Sequence, residues 1–130
     1  MSELGDRIKS EDFKKEKHVP VIEFGAGVKA GGPFNVTVTV GKEIPHPNTT
    51  EHFISWIKLY FMPDGGKFIY EVGANYFSAH GASADGANKG PVYSNSIAIF
   101  NLKLETPGKL IAESCCNIHG LWESSADVKF

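Results

Sequence analysis

The segment Phe34 to Val40 (FNVTVTV) alternates strictly, with Phe34, Val36, Val38 and Val40 on one side and Asn35, Thr37 and Thr39 on the other. A period of two is the mark of a half-buried strand. The run from Ile54 to Met62 repeats the pattern, with Ile57, Leu59 and Phe61 on one face and Trp56, Lys58 and Tyr60 on the other. Val19 to Phe24, Phe68 to Phe77, Ile97 to Leu104, Lys109 to Ser114 and Ala126 to Phe130 read as further strands, with Gly73 marking a bulge or bend in the second of these. Glycine, proline and small polar residues punctuate the chain at 25–32, 41–50, 63–66 and 78–91, which predicts turns and loops there. Cys115 to Trp122 fits neither period and reads as irregular. No segment carries a long helical period. About seven strands at this spacing predict an all-β fold, an antiparallel β-sandwich. The polar, mixed-charge opening of the chain predicts a short irregular or helical arm over residues 1–14.

Composition narrows the class of function. The chain has 130 residues, 42% of them hydrophobic and 22% charged, so residues 1–130 read as one domain with a full core. Its formal net charge of −2 argues against nucleic acid as a partner. The two cysteines, Cys115 and Cys116, are adjacent. Neighbouring Cα atoms lie about 3.8 Å apart, below the disulfide range of about 4.4–6.8 Å, so they cannot pair with each other. Free thiols fit a reducing compartment. The first 17 residues hold no apolar run, and the longest mostly apolar stretch, Ile54 to Met62, is nine residues. A signal peptide and a membrane span are therefore not expected, and the cytoplasm is.

Candidate chemistry comes from the histidines. There are five, His18, His46, His52, His80 and His119, and four lie in loops or at strand edges. Cys116 and His119 form a Cys-x-x-His pair, a spacing that lets one turn offer a thiolate and an imidazole to one ion. A buried cysteine beside a hydrogen-bonded histidine accounts for the pair equally. His46 and His52 stand six apart, and Pro45 and Pro47 stiffen the backbone around His46. A plain turn with two exposed histidines is the alternative there. Glu16, Lys17 and His18 follow one another, and Lys14, Lys15 and Lys17 with Glu16 make a local charge of +2 (three minus one) able to steer anions. Spacing cannot show that these groups meet. If they do, their softness suggests zinc, copper or iron, and four imidazoles with a thiolate exceed what zinc takes.

Four segments carry a resemblance. Lys15 to Glu23 (KEKHVPVIE), Val40 to His52 (VGKEIPHPNTTEH), Ala79 to Ser83 (AHGAS) and Cys116 to Glu123 (CNIHGLWE) are similar to the superoxide reductases, and the chain resembles their one-iron class, the neelaredoxins, related to the C-terminal domain of desulfoferrodoxin. The likeness runs from about residue 10 to the C-terminus. It implies an immunoglobulin-like β-sandwich and one mononuclear non-haem iron with four equatorial histidines and an axial thiolate. By motif these ligands fall on His18, His46, His52, His119 and Cys116. Glu16 falls where the family places a carboxylate that can take the sixth position in the oxidised state. Lys17 falls where the family has the lysine linked to attracting superoxide and to proton delivery through water. The implied reaction is one-electron reduction of superoxide to hydrogen peroxide, using electrons from rubredoxin or a similar small carrier. One-iron members are often homotetramers.

Some positions depart from the resemblance. The larger relatives hold a second iron with four cysteines in an extra N-terminal domain, and this chain lacks those cysteines. Phe53 stands where a second histidine is common, and Cys115 stands where tyrosine is common. Cys115 reads as a small buried residue, and His80 reads as a structural histidine bonding a loop carbonyl, with no ligand role. Two other functions stay open on the residues alone: a non-redox zinc sandwich, and an interaction module with scattered histidines.

Overall fold

Val36, Val38 and Val40, the apolar side of the FNVTVTV alternation, are almost fully removed from solvent at the centre of the structure, a computed structural model that describes residues 2–130. They belong to β2 (Phe34–Val40), which pairs antiparallel with β1 (Pro20–Phe24) on one side and β5 (Ile97–Leu102) on the other. The second sheet places β4 (Tyr70–Tyr76), β3 (Ile54–Pro63), β6 (Gly108–Cys116) and β7 (Gly120–Val128) side by side, all antiparallel. Ile57, Leu59 and Phe61 of β3 and Leu110 and Ala112 of β6 face the other sheet, where Ala98 and Phe100 of β5 complete the layer. Each fully buried aliphatic or aromatic side chain contributes about 1.5–3 kcal/mol. In immunoglobulin lettering the order is A-B-E against C′-C-F-G, so the antiparallel sandwich predicted from periodicity is the observed architecture.

Three details differ from the expectations. Residues 115–122 are not irregular: β6 extends to Cys116, a tight turn spans 117–119, and β7 begins at Gly120, whose φ of +81° closes the hairpin. The last strand thus starts six residues before Ala126. Cys115 is half-buried rather than buried. The pairing of β3 with β4 slips between Leu59 and Tyr60, opposite Gly73 and Glu71, so of the bulge or bend expected at Gly73 the structure has the bulge. A Cβ on Gly73 would lie 2.9 Å from the Phe100 ring, so the position also admits the core aromatic.

The N-terminal arm holds one short helix, α1 (Glu3–Arg7), capped by Ser2. It then runs onto β7, where the Lys9 amide donates to Leu121 O and the Glu123 amide to Lys9 O. Among the described residues no helix is long and apolar enough to cross a membrane.

Candidate metal centre

Three chain segments meet at one end of the sandwich. The first carries His18, two residues before β1. Its carbonyl accepts a hydrogen bond from Ser114 Oγ of β6 at 3.0 Å, and its ring stacks on Trp122 of β7 at 5.0 Å and 15°. His18 is 5% exposed. The second is the loop joining β2 to β3, which carries His46 and His52. The Thr49 amide donates to His52 O at 2.9 Å, and the His52 amide donates to Thr49 Oγ1 at 3.1 Å, so the loop folds back on itself between the two histidines. The third is the β6–β7 hairpin, with Cys116 at the end of β6 and His119 in the turn. The His119 amide donates to Cys116 Sγ at 3.4 Å, which ties the two residues of the turn together.

Asn117 ties the second segment to the third. Its amide donates to Phe53 O, its Oδ1 accepts from the Phe53 amide, and its Nδ2 donates to Glu51 O, at 3.1, 2.8 and 2.9 Å. These bonds fix the hairpin turn against the residues on both sides of His52. Their only sequence signal was the asparagine inside Cys116-Asn117-Ile118-His119, which reads equally as turn chemistry. The stacking of Trp122 on His18 and the bond from Ser114 likewise had no signal in spacing.

The donor atoms of His18, His52, His119 and Cys116 all lie within 4.8 Å of one another. His18 Nε2 and His119 Nδ1 are 3.1 Å apart, and Cys116 Sγ is 3.6 Å from His119 Nδ1. Two nitrogens bound at about 2.1 Å and at right angles to a common ion stand about 3 Å apart, so the spacing suits shared coordination. His46 lies outside that set of four but beside it, its ring centroid 4.9 Å from that of His18 and 4.7 Å from that of His52. Its Nδ1 donates to Pro47 O at 2.6 Å, which leaves the Nε2 lone pair free. Among the described residues, His46 Nε2 and His52 Nε2 are buried without a hydrogen-bond partner. Two orphaned imidazole nitrogens at one spot are what a metal ion would satisfy, and a set of imidazoles with one thiolate suits a first-row transition metal such as iron.

Electrostatics keeps these imidazoles neutral. Burial pushes His46 down to about 4, with the neighbouring charges of His18, His52 and Lys17 acting in the same direction against the bond to Pro47. Burial also lowers His52, aided by His119, His18 and Lys17. Burial lowers His18 as well, although the Glu16 carboxylate opposes it. Neutral imidazole is the form that binds metal.

Glu16 and Lys17 take different places. Glu16 Oε1 accepts from His18 Nδ1 and from the His18 amide, on the ring edge opposite Nε2. Burial raises the Glu16 carboxyl, but the bonds from His18 outweigh it and hold the group below its ordinary value. Lys17 is half-buried, its charge reaches His18, His46 and His52, and no ion pair among the described residues engages it. His80 stands apart from the cluster, stacked on Phe53. Cys115 is turned away from the Cys116 side of β6, and burial raises its thiol despite a bond with Ser55.

Known proteins agree with this geometry. The chain is 58% identical to the neelaredoxin of Megalodesulfovibrio gigas over 123 residues, 95% of each chain. It is 52% identical to the superoxide reductase of Pyrococcus furiosus over 126 residues, 97% of this chain and 99% of the relative. Its structure superposes on the reduced superoxide reductase (neelaredoxin) of Archaeoglobus fulgidus with a TM-score of 0.89 at 55% identity, covering 95% of this chain and 99% of that one. The family model described as desulfoferrodoxin matches residues 10–125, which takes in all three segments of the histidine–cysteine cluster, and the chain belongs to the desulfoferrodoxin family.

Proposed function

We propose that this protein is a superoxide reductase, an oxidoreductase that converts superoxide to hydrogen peroxide with one electron and two protons per superoxide. The observation that carries the reading is the convergence of four donor atoms within 4.8 Å, flanked by the orphaned Nε2 of His46, in a chain of the desulfoferrodoxin family. Superoxide reductase and neelaredoxin relatives at 52–58% identity support it.

The proposed ligands of one iron are the imidazoles of His18, His46, His52 and His119 and the Cys116 thiolate. The iron, when bound, supplies the electron and acts as a Lewis acid toward the reduced oxygen species. The remaining work belongs to the side chains. Cys116 presents the single soft, electron-rich donor, and the His119 amide holds its sulfur in place. Trp122 and Ser114 hold His18 in place, and Glu16 binds its outer nitrogen, which makes the inner one more basic. Lys17 Nζ supplies the positive charge that draws in a small anion, and it is the proposed source, with nearby water, of protons for the product. In the oxidised state Glu16 is the proposed sixth ligand, a role that requires it to leave His18.

The donor is proposed to be rubredoxin or a similar small electron carrier, since each turnover consumes an electron that the chain does not hold. The cytoplasm as location, a homotetramer as assembly, and residues 1–130 as one iron-binding unit belong to the same proposal. The set His18, His52, His119 and Cys116 by itself has the count of a tetrahedral zinc site, and the fifth donor at His46 favours iron.

Metal analysis with a superoxide assay, run with and without reductant, tests the reading. The expected result is about one iron per chain and superoxide removal that stops when the reductant is spent. Zinc alone, with no activity after iron loading, overturns it. Sustained removal without reductant, with dioxygen released, makes the protein a dismutase instead.

A further inference from the structure

His80 belongs to none of the ligand segments, yet it sits on a rigid support. Residues 79–81 run beside 92–94: the Ser94 amide donates to Ala79 O at 2.7 Å, the Gly81 amide donates to Val92 O at 3.2 Å, and His80 bridges to Tyr93. Gly81, at φ +83°, lies so close under Tyr93 that a Cβ there would come within 2.5 Å of the ring. The support therefore has little freedom.

From it the His80 ring holds the loop that carries His46 and His52. His80 Nδ1 lies 2.7 Å from Asn48 Oδ1, two residues beyond His46. The ring stacks on Phe53, the residue after His52, with centroids 3.8 Å apart and planes 11° from parallel. Between these points Thr50 Oγ1 donates to the His80 carbonyl at 3.1 Å. The far ring nitrogen, Nε2, lies 2.7 Å from Phe77 O at the end of β4, so the ring itself cannot swing. Asn48 cannot turn its amide round either, because its NH₂ already donates to Ser94 O. With one proton the ring donates one of its two bonds.

Resting on the ligand assignment proposed above, we infer that His80 is a positioning residue of the metal centre: it sets the places of His46 and His52 through Asn48 and Phe53. Partners behind metal ligands of this kind are worth on the order of 10–100-fold in metal affinity. Cys116 and His119 stand on the β6–β7 hairpin, which His80 reaches only indirectly, through Phe53 and its bonds with Asn117, so the loop half of the site depends on it most directly.

The test loads purified His80→Ala, His80→Gln and Asn48→Ala proteins with iron. It records circular dichroism, the ferric thiolate absorption, the ferric electron paramagnetic resonance spectrum and the rate of iron release to a chelator. His80→Ala is expected to fold and to keep the thiolate band. It is expected to alter the rhombicity of the resonance spectrum and to release iron about 10-fold faster. His80→Gln, which keeps one side-chain donor, should fall between it and the wild type. Combining Asn48→Ala with His80→Ala should cost less than the sum of the two single effects, because the two residues share the bond between them. If His80→Ala does not fold, the other two variants carry the same test. A wild-type spectrum and release rate in the variants that fold overturns the inference alone, provided that His46→Ala and His52→Ala both lose iron. If those two hold iron as the wild type does, the ligand assignment falls and the inference falls with it.

Discussion

In the proposed site Cys116 and Lys17 divide the work between bonding and attraction, and each can be removed separately. Cys116 is 2% exposed and is the one soft donor in the cluster. Cys116→Ser should abolish the thiolate-to-iron absorption and most activity, and visible spectroscopy of the oxidised protein checks this. A band that survives unchanged would make Cys115 the ligand, against the orientation of alternate residues on β6. Lys17 contributes charge to three imidazoles, and no ion pair among the described residues engages it. Lys17→Ala should slow superoxide capture by roughly 10-fold at low ionic strength and flatten its dependence on salt, with iron content unchanged. Pulse-radiolysis rates at several salt concentrations decide it. Unaltered rates at low salt would remove steering from the mechanism. At this scale the sequence displayed the residue types and the resemblance pointed to five of them, but it could not reveal what holds them. Trp122, Ser114 and Asn117 support the proposed ligands through stacking, a carbonyl bond and cross-loop bonds. A tryptophan, a serine and an asparagine serve such roles in most folds, so their identity alone carries no signal.

At the scale of elements, strands with one wet face were legible because alternation writes burial directly into the sequence. β2 and β3 are the clear cases, from Val36 to Val40 and from Ile57 to Phe61. The β6–β7 hairpin was not legible at its tip. Cys116 continues the buried alternation of Leu110, Ala112 and Ser114 although it is not an ordinary core aliphatic, and Asn117 to His119 then turn the chain, so the strand period gave no sign of where β6 ends and β7 begins. Loop shape was hidden for a related reason, since it depends on contacts between backbones. Gly41 illustrates this. It has φ +88°, and a Cβ there would lie 2.7 Å from the His46 amide nitrogen and 3.3 Å from His46 Cβ. The left-handed backbone alone costs an ordinary residue about 1–2 kcal/mol. Gly41→Ala should therefore lower stability by at least about that much and push His46 away from the cluster. Denaturant unfolding of the apoprotein and iron release from the loaded protein would measure the two effects. Lost stability with unchanged iron release would mean that His46 does not depend on this turn for its place.

For the whole molecule, the site couples folding to protons, because the fold buries imidazoles that are lone pairs in search of an ion. His46 titrates at about 4 in the native state against an ordinary 6.5, and His18 and His52 are lowered as well. Below about 6.5 the unfolded chain takes up protons that the native chain refuses, so stability must fall as pH falls. For His46 that loss begins near 6.5 and is complete near 4, where the native ring is protonated too. His18 and His52 add to it with the same upper edge. Glu16, held below its ordinary 4.5 by His18, adds a further loss at more acid pH. Iron changes the balance, since a bound ion stabilises only the native state and takes the lone pairs that protons would otherwise use. The apoprotein should accordingly show a melting temperature that drops steadily as pH is lowered from 6.5 toward 4. The gap between loaded and apo melting temperatures should narrow over the same interval, as protons displace the metal. Calorimetry of both forms across this range measures it. A flat apoprotein profile would mean that the imidazoles are open to water without iron, and the neutral cluster of bases would then be assembled by the metal instead of by the fold.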